Sequence, residues 1–162
     1  MSNVLRTIQI LVLLVGSVFL QVLANRYFPF FYLDFPLFAI LYLTLAEENL
    51  IWTVVSGTMV GFLQDSLSPG LPGVNGFAKI SVGFVAYLAN AFIAVDRVIT
   101  RWIMLFGCSL LSSLLVLVLR ILFLDRTEGL DWQRLLWSSL LNACIGLLMF
   151  YLLDKLLRAK NE

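Results

Sequence analysis

The chain of 162 residues contains no histidine, only two cysteines and few charged residues. Without histidine it cannot use an imidazole as a general base, a metal ligand or a haem ligand. Only 13% of its residues are charged, against roughly 25% in a soluble domain. The net charge of +1 provides no basic patch for nucleic acid. These absences exclude histidine-based catalysis and argue against a nucleic-acid partner.

The two cysteines, Cys108 and Cys144, both lie within apolar segments. We interpret them as small buried hydrophobic residues and not as a disulfide or a metal-binding pair. The serines of the fifth apolar segment lack a neighbouring base, so none of them is a credible nucleophile. The sequence therefore predicts a protein that is not an enzyme and that needs neither a cofactor nor a metal.

The residues that are present are mostly apolar: 61% are hydrophobic, and the mean hydropathy is +0.97. Apolar runs of this length and number predict an all-α, polytopic transmembrane bundle that forms one integral-membrane domain over residues 1–162. We expect six helices, at about 8–24, 30–46, 50–67, 77–95, 102–124 and 135–157. The first apolar stretch is longer than the core of a signal peptide, which favours a retained helix. The third either continues through Asp65 to Leu67 or is re-entrant.

The distribution of lysine and arginine in the loops predicts the orientation of the bundle, because cytoplasmic loops are enriched in these residues. With both termini in the cytoplasm, the inner segments hold six cations and the outer loops hold three, once Lys79 and Arg120 are assigned to helices. We therefore expect a multi-pass protein with both ends inside.

A stripe of small residues marks the third segment. Gly57, Gly61 and Asp65 are spaced four residues apart, so they lie on one face of a helix. Two glycines on a membrane helix allow another helix to approach closely. A turn-rich stretch at 66–76 follows, in which Gly73 is suited to a left-handed position. We predict that Gly57, Gly61 and Gly73 serve the packing of a partner helix.

Four charged residues lie inside the predicted helices: Asp34, Asp65, Lys79 and Arg120. The predicted topology places all four near the outer ends of their helices, and their charges sum to zero. Buried charges need a partner or water. The sequence therefore favours an embedded charge cluster with an Asp65–Lys79 or an Asp34–Arg120 pair. The alternative is that Lys79 and Arg120 extend to the lipid headgroups.

The third and fourth segments resemble the MreD family of rod-shape-determining membrane proteins. The resemblance is carried by the stretch from Gly61 to Gly76, GFLQDSLSPGLPGVNG, and by the apolar helix that follows it with Tyr87-Leu88. The overall layout of the chain is also similar to that family. One departure is the order Asp34-Phe35-Pro36, where many relatives have proline before the acid.

This resemblance implies a non-enzymatic scaffold in the bacterial plasma membrane, which is the inner membrane of a cell with two. Such proteins bind the single-span protein MreC and support peptidoglycan synthesis alongside the MreB cytoskeleton, the RodA glycosyltransferase and a class B penicillin-binding protein. Family members are also thought to be similar in fold to the substrate-binding subunits of vitamin transporters. A second hypothesis is therefore a transport subunit, with the four embedded charges lining a pocket.

Overall fold

The computed structural model describes residues 2–27, 33–47, 49–67, 72–92, 97–124 and 131–158. These residues form a bundle of six α-helices and contain no strand. The helices are α1 (Ser2–Tyr27), α2 (Phe35–Glu47), α3 (Leu50–Leu67), α4 (Val74–Phe92), α5 (Val98–Leu124) and α6 (Trp132–Arg158).

The prediction of an all-α helical membrane bundle is confirmed. Among the residues that the structure describes, three helical stretches are long and apolar enough to cross a membrane: Thr7–Tyr27, Val98–Phe123 and Trp132–Lys155. The bounds of α3 are those predicted, whereas α1, α5 and α6 each extend beyond the predicted limits. The predicted helical residues 30–32 and 93–95 lie outside the described residues.

The second helix is shorter than predicted and lies at the centre of the bundle. It has 13 residues, about 20 Å of helix, which is less than the hydrocarbon thickness of roughly 30 Å. All nine residues from 36 to 44 are buried, as expected for a helix that is apolar on every side. Within the described part of the chain, α2 alone contacts all five other helices.

Two apolar clusters hold the other helices against α2. On one side, Leu14 and Val18 of α1 and Val60 of α3 pack with Ile40. On the other side, residues of α4, α5 and α6 pack around Phe38 and its neighbours. The outer helices follow one another around α2 in the order α1, α3, α4, α5, α6.

The contacts fix the directions of the helices. Asp34, just before α2, bonds to Asn142 of α6, and Tyr42 of α2 bonds to Asp154 of α6, so these two helices are parallel. Arg101, near the start of α5, forms an ion pair with Asp154 near the end of α6 at 2.9 Å, so α5 and α6 are antiparallel. We call the end of the bundle that contains Tyr42, Arg101 and Asp154 the predicted inner end, and the opposite end the predicted outer end.

Candidate functional site

An ion pair joins α4 to the start of α2. Lys79 Nζ lies 3.0 Å from Asp34 Oδ2, and the Lys79 side chain is 0% exposed. The carboxylate also caps α2, because the backbone N–H of Leu37 donates to Asp34 Oδ1 at 3.2 Å. The predicted Asp65–Lys79 and Asp34–Arg120 pairs are therefore wrong. Extension of Lys79 to the lipid headgroups is wrong as well, since its side chain is fully enclosed.

The same residue connects to α6 and α5. The backbone N–H of Asp34 donates to Asn142 Oδ1 at 3.1 Å, and Asn142 Nδ2 donates to Ser109 Oγ at 3.0 Å. Asn142 and Ser109 are both buried. Buried polar groups are costly unless they are hydrogen-bonded, so this chain of bonds stabilises one arrangement of α2, α4, α5 and α6.

The first helix joins this arrangement through Gln21, which is buried. Its Oε1 accepts a hydrogen bond from the N–H of Phe35 at 2.9 Å, and its Nε2 donates to the carbonyl oxygen of Leu33 at 2.6 Å. We call the set of Gln21, Asp34, Lys79, Ser109 and Asn142 the polar layer. It draws on α1, the start of α2, α4, α5 and α6.

The polar layer lies deeper than the sequence suggested. Ser109 and Asn142 are near the middle of α5 and α6, each of which has 27 residues. Asp34 and Lys79 are therefore level with the middle of these helices and not with their predicted outer ends. The physical reason is that α2 begins only at Phe35, so its start lies halfway through the bundle. Gln21 and Asn142 are not among the predicted site residues, although each is an uncommon polar residue in an apolar segment.

The glycine stripe packs inside the chain. A Cβ on Gly61 would overlap the backbone of Gly76, and a Cβ on Gly57 would lie 3.4 Å from Ile80. One turn further towards the predicted inner end, Gly83 lies against Thr53. The close approach predicted for a partner helix is thus made by α4, which covers the face of Gly57 and Gly61.

Asp65 closes the other end of this hairpin. Its Oδ2 accepts hydrogen bonds from the N–H groups of Gly73 and Gly76 at 2.8 and 3.3 Å. Its Oδ1 accepts two more from Asn75. A carboxylate at a helix N-terminus satisfies unpaired donors and interacts favourably with the helix dipole. Gly73 has φ of +95°, as predicted for a left-handed turn, and is exposed instead of packing against a helix.

The remaining predicted residues are spread out. Arg120 is exposed near the end of α5, and no described residue forms an ion pair or hydrogen bond with it. Both cysteines are free, Cys108 is buried as predicted, and Cys144 is exposed, which corrects the prediction for that residue.

The chemistry available to the polar layer is mainly structural. Its charged groups bond to one another and to backbone atoms, and they leave no nucleophile beside a base. Among the described residues, no group of three or more acidic or cysteine side chains is placed to hold a metal ion. Two buried polar atoms in that part of the chain have no hydrogen-bond partner, Gln64 Oε1 and Ser139 Oγ.

Comparison with known proteins gives one result. A protein-family model described as rod shape-determining protein MreD matches residues 1–160 of the chain. No curated protein and no solved structure matches it.

Proposed function

The chain belongs to the MreD family of rod shape-determining proteins, and from this we propose that it is a membrane scaffold of the bacterial cell-elongation machinery. In this role it binds a single-span MreC protein in the inner membrane. Through MreC it supports peptidoglycan synthesis by a RodA glycosyltransferase and a class B penicillin-binding protein, alongside an MreB cytoskeleton. The observation that carries the proposal is the family match over essentially the whole chain.

The structure supports a scaffold function because the buried polar groups of the polar layer bond to one another and to the backbone. Lys79 and Asp34 neutralise each other, and Asn142 and Gln21 bond to the start of α2. A network whose members satisfy one another makes a core rigid and specific. A rigid bundle is what a partner needs in order to dock in one orientation.

The alternative function, a substrate-binding subunit of a small-molecule transporter, has one observation in its favour. Polar side chains from several helices converge at the polar layer, as they do in ligand pockets. A transport site, however, needs polar groups that are free to bind the substrate, and Lys79 is fully enclosed and already paired. The scaffold is therefore the better-supported function.

Depletion in a rod-shaped bacterium that depends on this chain tests the proposal. We expect depleted cells to become round, and co-purification from the same membranes to recover the MreC protein with the chain. Normal rods after a clean deletion would contradict the scaffold function. The transport function instead predicts normal shape and a loss of uptake of one nutrient in the same strain.

A further inference from the structure

At the predicted outer end of the bundle, the end of α5 extends further than the start of α4. Lys79 is near the start of α4, and only about 8 Å of helix separates it from Val74. Ser109 lies at the level of the polar layer, and about 22 Å of helix separates it from Leu124 at the end of α5. The end of α5 therefore extends roughly 14 Å past the start of α4 at the predicted outer end.

One face of α5 changes from buried to exposed between Leu105 and Arg120. Leu105, Ser109 and Ser112 follow one another at helical spacing on the face that packs inside the bundle, and they are 2%, 1% and 3% exposed. The same face continues through Val116, which is half-buried, to Arg120, which is exposed. Arg120 thus lies where a neighbouring helix would be expected, on the bundle side of α5 and not on its opposite side.

Apolar and aromatic side chains are exposed on the helix ends next to Arg120. Large exposed side chains cover the end of α5 and the start of α6. They are Ile121, Phe123, Trp132, Leu136 and Trp137, whereas the exposed Val118 and Leu122 lie on the opposite face of α5 from Arg120. Tryptophan and arginine are the residues most enriched where binding energy concentrates in interfaces. A guanidinium in such a setting is stabilised by an anion held in a fixed geometry.

We propose that this outer end of the α5–α6 hairpin is the docking site for the transmembrane segment of the single-span partner, which places an acidic side chain against Arg120. The inference rests on the proposed function, and it specifies which surface binds the partner and which charged groups meet there. Charge decides the occupant: Arg120 calls for an anion, whereas a second copy of the chain would present its own Arg120 to the same surface. The glycine stripe of α3 is already covered by α4, so it does not compete for this role.

Site-specific photo-crosslinking in living cells tests where the partner lies. A photoreactive residue at Phe123, which is 69% exposed and lies on the Arg120 side of α5, is expected to crosslink to the MreC protein. The matched control is Ile103, which is 59% exposed and lies on the opposite face of α5 near its start. Equal crosslinking from both positions, or crosslinking from Ile103 alone, would overturn the proposal.

Charge reversal tests the chemistry. Arg120→Glu is expected to reduce co-purification of the MreC protein by about tenfold or more, whereas Arg120→Lys retains most of it, since a cation remains. Reversal to arginine of the acidic residue in the segment of the MreC protein that crosslinks to Phe123 should restore binding to Arg120→Glu. The control is Arg97→Glu, an exposed residue at the other end of α5, which should bind as the unmodified chain does.

The outcomes separate this inference from the proposed function. If Arg120→Glu binds the MreC protein normally and Phe123 crosslinks only to phospholipid, Arg120 binds a headgroup phosphate and the docking site is wrong, although the scaffold stands. If the unmodified chain fails to bind an MreC protein and its loss leaves cells rod-shaped, the proposed function itself fails. Because Arg120 is exposed and has no ion-pair or hydrogen-bond partner among the described residues, its substitution should leave the thermal stability of the chain unchanged, which shows that lost binding is not lost folding.

Discussion

At the scale of single residues, the Lys79–Asp34 pair is the most consequential contact. The ammonium group of Lys79 is fully enclosed, so it depends on Asp34 and not on water to balance its charge. Its Nζ is 3.0 Å from Asp34 Oδ2. Removing one member of a buried pair leaves the other charge uncompensated, which costs more than the pair itself contributes. The pair therefore specifies which residue of α4 meets the start of α2.

We predict that Lys79→Met lowers the free energy of unfolding by about 3–5 kcal/mol, the usual cost of breaking a buried pair. The double variant Asp34→Asn with Lys79→Met should lose less than Lys79→Met alone, because it leaves no unpaired charge and asparagine still caps α2. Unfolding of the purified protein in mixed detergent micelles, followed by circular dichroism, measures both values.

The matched control for that experiment is Lys155→Met, which removes an exposed lysine of α6 and should change the unfolding transition little. The single variant Asp34→Asn completes the comparison. If the double variant loses as much free energy of unfolding as Lys79→Met and Asp34→Asn lose together, Lys79 and Asp34 act independently, in conflict with the pairing.

At the scale of helices, α3 and α4 form a hairpin whose backbones touch. Gly61 lies against Gly76, Gly57 against Ile80 and Gly83 against Thr53. Without side chains at these points, van der Waals contact extends along both backbones, which is how helices associate in a membrane. Asp65 then fixes the turn by accepting hydrogen bonds from the start of α4.

Gly61→Ala should destabilise this hairpin by about 2–3 kcal/mol, because the added methyl group overlaps backbone atoms of Gly76 that cannot rotate away. Gly57→Ala should cost less, since its Cβ would meet Ile80 at 3.4 Å. The control is Gly107→Ala on α5, where a Cβ meets nothing within 4 Å. Hydrogen exchange of the α4 amides, measured by mass spectrometry, reports the loss. Equal protection in the Gly61→Ala and Gly107→Ala variants would contradict the close packing.

The sequence was sufficient to predict the helices but not which of them meet. The bounds of α3 followed from a polar break before Leu50 and a turn-rich stretch after Leu67. The predicted start of α2 at residue 30 is too early, since the helix begins at Phe35, although aspartate three residues before Leu37 is a recognisable capping signal. The glycine spacing indicated a close approach, but it does not state whether the second helix belongs to the same chain.

At the scale of the whole molecule, the pairing of charges depends on how far each charged residue lies from the ends of the bundle. The sequence of a single helix does not show this depth, because it depends on how the helices are placed against one another. The sequence predicts Asp65 as the partner of Lys79, whereas the structure pairs Lys79 with Asp34, because α2 begins deep inside the bundle. A 13-residue helix that begins at mid-height brings Asp34 to Lys79 and leaves Asp65 to the turn. The polar layer arises from the assembled bundle, and its other members, Gln21 and Asn142, gain their roles only there.

The bundle as a whole also makes a prediction about sidedness. Gln133 at the start of α6 and Arg97 just before α5 are both exposed, and α5 and α6 run antiparallel between them. The two positions therefore lie at opposite ends of the bundle. The loop charges predict that Gln133 lies outside and Arg97 in the cytoplasm.

Cysteine labelling decides this in a background where Cys108 and Cys144 are replaced by alanine. We expect a membrane-impermeant maleimide to label the Gln133→Cys variant in intact spheroplasts, and the Arg97→Cys variant only after the membrane is permeabilised. Labelling with the two positions reversed would invert the orientation, and it would move the Arg120 surface to the cytoplasmic side. Labelling of both positions from the same side would mean that α5 does not cross the membrane, which would contradict the bundle topology itself.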